Sequence, residues 1–242
     1  LWEEKPLSKN GSPGASYEIA LSTMKHPFAV LALCALLASC GNVSSPTPQP
    51  VVPAGWGDLR ITPALVEKGK FGRSRIRPMN PKSITIHATE NFSRGGNARA
   101  HAQMLRSGSL KGPHNSLGYI SWHFTVDDHS IYQSLPCNEQ GQHADYEGQG
   151  NRQSIGIEMC ENRGNSREIT LDRTAKLTAV LMKQYGIPLS NVVPHQHWRM
   201  IRFDDRRDLG HKTCPHFLVK GGESDPAWRA FLTRVNRYRQ QL

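Results

Sequence analysis

No apolar run in this 242-residue chain looks long enough to cross a bilayer: the run at residues 28–37 stops well short of the roughly 20 residues a spanning helix requires. Aromatic residues make up only 7% of the chain. No zinc-finger spacing and no aromatic-basic strand motif accompany its charge, so no nucleic-acid partner is expected. The H-E-x-x-H helix of the common zincin peptidases is missing. There is no internal repeat. Acidic residues are also short, with 20 Asp and Glu against 30 Lys and Arg and a formal net charge of +10. In residues 1–40, Lys5, Lys9 and Lys25 balance Glu3, Glu4 and Glu18, so the basic character belongs to the remainder. Such a surface favours polyanions, and is equally compatible with a solvated face that has no specific partner.

The 16 prolines are unevenly placed, which points to a linker rather than a proline-rich fold. Residues 1–23 show no sustained period and are set aside as lying upstream of the functional start. Met24-Lys25-His26 and the apolar run then read as an export signal. The run ends in Leu37-Ala38-Ser39-Cys40-Gly41, which resembles the lipobox of bacterial lipoproteins. That resemblance implies acylation of Cys40, a membrane partner through the lipid, and a place in the cell envelope. Asn42 favours the outer membrane, facing the periplasm, in a Gram-negative cell. The alternative is a plain secretory signal. Residues 43–55, rich in Ser, Pro and Thr, read as an extended stalk. The expected organisation is 1–23 upstream, 24–40 signal, 41–75 linker and lead-in, and 76–242 folded domain.

Within that domain, Ser83-Ile84-Thr85-Ile86-His87 alternates as a half-buried strand, with Ser83, Thr85 and His87 on one face. Ser154 to Glu158 alternates likewise, putting Glu158 on a face with Ser154 and Gly156. Residues 118–126 read as one strand, with 130–135 as its hairpin partner. Residues 97–106 fit a short helix, and a second runs from an N-cap at Thr170 to Gly186. Val192-Val193 reads as a short strand leading into His195. A last helix opens with Asp225 as N-cap and Pro226 at its first position, and turns Ala227, Phe231, Leu232, Val235 and Tyr238 inward. Strands and helices alternate, so the expected class is α/β: a single domain with a central mixed sheet flanked by helices.

His87, Glu158 and His195 each stand at or just beyond the end of such a strand. Histidine and cysteine thiolate both bind zinc, and His87, His195 and Cys214 would leave a fourth position open, as in a catalytic site. Spacing alone leaves rivals among the 11 histidines, including His197, which shares a face with His195 if that segment is extended.

Six blocks stand in order: Ile84 to Thr89, Ser121-Trp122-His123-Phe124, Gln142-His143-Ala144, Asn151 to Glu158, Val193-Pro194-His195-Gln196, and Lys212-Thr213-Cys214-Pro215-His216. Together they resemble the type 2 N-acetylmuramoyl-L-alanine amidases, a family that includes the peptidoglycan recognition proteins, over roughly residues 80–220. The resemblance implies that fold, and a Zn2+ ion held by His87, His195 and Cys214. It implies Glu158 as general base and Lys212 as oxyanion stabiliser, with His143, Trp122 and Asn151 along the substrate groove. Trp122 stands where tyrosine is frequent, so no catalytic role is carried to it. The implied reaction cuts the bond between N-acetylmuramic acid and L-alanine in peptidoglycan or muropeptides, by a monomer. Alternatives are a non-catalytic wall-binding protein or a prophage-type lysin; retention of Cys214, Lys212 and Glu158 favours the enzyme, and the lipid anchor favours remodelling of the cell's own wall. Residues 198–211 are longer than the family's usual link. Export would also allow a Cys137–Cys160 disulfide, against two buried free thiols.

Overall fold

The computed structural model describes residues 49–242. Residues 1–23, the signal reading at 24–40 and the lipidation reading at Cys40 lie outside the described residues. In chain order the strands are β1 (Ile61–Pro63), β2 (Ser83–Ala88), β3 (Lys111–Gly112), β4 (Gly118–Tyr119), β5 (Phe124–Val126), β6 (Ile131–Gln133), β7 (Ser154–Met159), β8 (Val192–Pro194), β9 (Arg199–Ile201) and β10 (Asp208–His211). The α-helices are α1 (Ala98–Ser107), α2 (Gln149–Gln153), α3 (Arg167–Tyr185) and α4 (Pro226–Arg239). None of the described helices is long and apolar enough to cross a membrane.

Six strands form one sheet in the order β1-β6-β5-β7-β2-β8. Only the β5–β6 hairpin is antiparallel; the other pairings are parallel. This is the mixed α/β sheet expected. The alternation along β2 and β7 sends Ile84, Ile86, Ile155 and Ile157 to one face, all at 0% exposure, where they share a core with Leu177 and Leu181 of α3 and Trp228, Phe231 and Val235 of α4. On the opposite face, two indoles satisfy buried hydroxyls: Trp198 Nε1 donates to Thr85 Oγ1 at 2.9 Å and Trp122 Nε1 to Thr125 Oγ1 at 2.7 Å. A buried hydroxyl without a partner would be costly.

Several expectations are corrected. The lead-in is not linker throughout. β1 pairs with β6, Leu59 is at 0% exposure, and Trp56 packs its ring against Tyr238 at 5.5 Å. The buried Arg73 guanidinium donates to both oxygens of Glu139, at 2.7 and 2.6 Å, and pins this segment to the body. Leu59→Ala is accordingly expected to lower the unfolding free energy by about 2–5 kcal/mol. The denaturant midpoint reads this, and an unchanged midpoint would return the segment to linker status.

Residues 118–126 are not one strand. Gly118 turns at φ +71°, Ser121 bridges Gln142, and only Phe124–Val126 enters the sheet. Helix α3 begins earlier than Thr170, because Ser166 is the cap and accepts from Ile169 N–H; Thr170 instead donates to the Ser166 carbonyl at 2.9 Å. α4 starts as expected, with Asp225 accepting from Ala227 N–H, and Phe231 and Val235 face the core together with Trp228, which the expected inward face omits. Cys137 and Cys160 are buried free thiols rather than a disulfide.

Candidate metal centre and its cleft

Register builds the site. In the parallel pairing of β2 with β7, His87 stands opposite Glu158. On the other side of β2, Ile86 stands opposite Pro194, the last residue of β8, so His195 follows at the same carboxyl edge of the sheet. The chain then makes a 3-10 turn over His195–His197. That turn separates the two rival histidines: His195 is buried, while His197 faces out and pairs with Glu223 at 2.8 Å. Cys214 arrives by a loop whose carbonyl accepts from Gln196 N–H at 3.0 Å, and its sulfur accepts from Ala88 N–H at 3.4 Å. Donor atoms of His87, His195 and Cys214 all lie within 4.8 Å of one another, and all three residues are buried.

The electrostatics suit a cation. His87 Nδ1 and His195 Nδ1 are 3.0 Å apart. His195 Nε2 is 2.7 Å from the Ala144 carbonyl. A carbonyl can only accept, so that nitrogen carries the proton and Nδ1 keeps its lone pair. Burial pushes His195 down to about 4 and His87 well below the ordinary histidine value, the latter helped by His195 and His143, so both rings are neutral near pH 7. Burial, reinforced by the Glu158 carboxylate, pushes the Cys214 thiol up to about 12. Two neutral imidazoles and a sulfur in a dry site make a donor set that fits a borderline-soft metal ion.

Glu158 places Oε1 3.9 Å from His87 Nδ1, and its Oε2 is buried with no hydrogen-bond partner. Burial pushes this carboxyl up to about 8, with Lys212 opposing. Lys212 Nζ lies 3.3 Å from Glu90 Oε2. Burial works against its charge, Cys214 and Glu90 favour it, and its pKa ends above the usual lysine value.

Around the centre are two lobes. One, of about 320 Å³, holds the three donors, Glu158 and Trp122. The other, of about 350 Å³, is bordered by Lys111, His114, Tyr146 and Met200. Ile120, His143, His195 and Lys212 border both. The segment 198–211 forms the β9–β10 hairpin beside the second lobe. Its Phe203 N–H donates to the His114 carbonyl at 3.0 Å, and His114 Nδ1 meets Asp204 at 2.8 Å.

The three residues expected along the groove border the cleft but do not offer it their polar atoms. Trp122 is 5% exposed and donates inward to Thr125. Asn151 is 1% exposed, with its carboxamide oxygen on backbone N–H groups and its nitrogen on Gln142 Oε1 at 2.9 Å. Both ring nitrogens of His143 have protein partners. Sequence reasoning missed Glu90, which holds Lys212 from a positive-φ position, and His123, which accepts from Gly156 N–H at 2.9 Å. Neither carries a periodic signal, although His123 stands within the Ser121-Trp122-His123-Phe124 motif.

The family described as N-acetylmuramoyl-L-alanine amidase matches residues 77–217. The amidase CwlH of Bacillus subtilis is 39% identical over 160 residues, covering 65% of this chain and 54% of CwlH. The amidase XlyA of the same organism is 47% identical over 147 residues, covering 60% of this chain and 43% of XlyA. The chain spans about half the length of these curated relatives. The solved catalytic domain of XlyA superposes with a TM-score of 0.58 at 37% identity, covering 73% of this chain and 99% of that domain. This chain belongs to the N-acetylmuramoyl-L-alanine amidase family.

Proposed function

We propose that the protein is a zinc-dependent amidase that hydrolyses the amide between N-acetylmuramic acid and the L-alanine of the stem peptide in peptidoglycan. The observation that carries this is the buried trio of His87, His195 and Cys214 with the unpartnered Glu158 carboxylate beside it. Further support is the match to nearly the whole catalytic domain of XlyA. Held by the trio, zinc would polarise the scissile carbonyl and make water a nucleophile near neutral pH.

The protein's own groups supply the rest. Glu158 takes a proton from the attacking water and delivers it to the leaving amine; a carboxyl whose pKa is raised by burial can do both. Lys212, kept charged beside Glu90, faces the negative charge that develops on the carbonyl oxygen, a role worth about 3–4 kcal/mol. The two lobes give the substrate room on either side of the cut bond. The net charge of +10 suits an anionic wall. Own-wall remodelling at the cell envelope, with a tether through Cys40, rests on the sequence of residues 24–55 alone.

The test is to incubate the full chain with purified peptidoglycan, with and without a chelator, and identify the products by mass spectrometry. Release of peptides beginning with L-alanine, abolished by chelation and restored by zinc, is the expected result. A cut within the glycan or between peptide residues would refute the reading.

A further inference from the structure

Both histidines of the candidate centre lean on one dipeptide, His143-Ala144. His143 Nδ1 lies 3.0 Å from His87 Nε2, and the Ala144 carbonyl lies 2.7 Å from His195 Nε2. The proton positions follow from groups that can only accept. The Ser154 carbonyl, 3.3 Å from His143 Nε2, requires the proton on that nitrogen. His143 Nδ1 is then a lone pair, and it accepts from His87 Nε2–H. His87 Nδ1 is left bare and faces the equally bare His195 Nδ1 at 3.0 Å. Two lone pairs this close repel each other, and a shared cation removes the repulsion.

The dipeptide is itself held. Asn151 Oδ1 accepts from the backbone N–H of His143 at 2.8 Å and of Ala144 at 2.9 Å. The Asn151 amide nitrogen donates to Gln142 Oε1 and to the Tyr146 carbonyl. The His143 ring occupies a slot that side chains would fill. A Cβ on Gly141 would come within 2.6 Å of the ring, and one on Gly156 within 2.8 Å of three ring atoms. Glycine on the polar face of β7 is therefore what lets the ring lie against the sheet.

We infer that His143-Ala144, held by Asn151 and seated between Gly141 and Gly156, is a positioning bracket that fixes the tautomer and aim of both histidine donors and so sets how tightly the centre holds zinc. His143 and Asn151 thus act on the metal rather than on the substrate. The inference rests on the zinc reading proposed above.

It is tested on the full chain by stripping the metal, titrating Zn2+ against a chromophoric chelator, and measuring KM and kcat at saturating zinc. His143→Ala is expected to weaken zinc about 10- to 100-fold, the usual cost of losing a partner that orients a ligand. Gly156→Ala is expected to shift affinity in the same direction although it removes no polar atom. His143→Asn, whose Oδ1 can stand near the lost Nδ1, is expected to recover part of the loss. KM at saturating zinc stays at the wild-type value. Wild-type zinc affinity in His143→Ala and Gly156→Ala, or a raised KM with zinc affinity intact, would overturn the bracket and leave the zinc reading standing. Wild-type protein that takes up no zinc would overturn both.

Discussion

Glu158→Ala is expected to lower turnover about 10²- to 10⁴-fold while the protein keeps its full zinc complement. The asymmetry follows from where the carboxyl sits. Parallel register puts Glu158 opposite His87, yet Glu158 is outside the donor trio, and its Oε2 touches no hydrogen-bond partner. Removing it therefore takes away a proton acceptor without taking away a metal donor. Burial has already raised the carboxyl to about 8, so its ionised form gains little from the surroundings, and when it is lost Lys212 keeps Glu90 at 3.3 Å as a partner. Glu158→Gln, which keeps the shape, should be impaired to a similar degree. Metal analysis and the rate of peptide release from peptidoglycan check the two halves separately. Unimpaired wall digestion by either variant would remove Glu158 from the mechanism.

The second large effect is on the metal. Cys214→Ser is expected to weaken zinc by more than the about 100-fold that an outer-shell change costs. It should also alter how affinity depends on pH. In the wild type the two histidines are already neutral near pH 7, His195 at about 4 and His87 well below its usual value, whereas the thiol lies at about 12. Zinc therefore displaces one proton, from Cys214, as it binds. Protons compete with the metal at low pH, so apparent affinity should rise about tenfold per pH unit between the histidine and cysteine values. With serine in place the steep dependence should flatten. Titrations at several pH values check this; a full zinc complement in the variant, or parallel slopes in the two proteins, would exclude Cys214 as a donor.

How much of this was legible in the sequence depends on the residue. β2 and β7 could be read because each has one apolar and one polar face, and the period of two then fixes where His87 and Glu158 point. The segment holding Leu59 could not. Its strand is three residues long, its helical turns are short, and its burial is decided by distant partners on β6 and α3 rather than by any local period. The choice of His195 over His197 came from resemblance. Its physical basis is the turn after Pro194, which breaks the extended geometry that would have made the two equivalent. Resemblance placed His143 and Asn151 along the substrate groove, whereas the hydrogen bonds that hold them come from elsewhere in the fold. Which way a ring nitrogen or a carboxamide faces is settled by backbone groups brought in from other strands, and linear spacing does not carry that information.

The β9–β10 hairpin has a bearing on how such a protein can diversify. It is an excursion that pairs with itself, so its tip can lengthen, shorten or change composition without disturbing the six-stranded sheet. That tip lies against the loop at His114, along one side of the cleft, while the base is closed by His211 Nδ1 donating to the Gln196 carbonyl at 2.8 Å. Lys212 follows immediately. The closed base stands between the tip and the lysine, so a change at the tip is expected to alter the reach of the cleft more than the placement of Lys212.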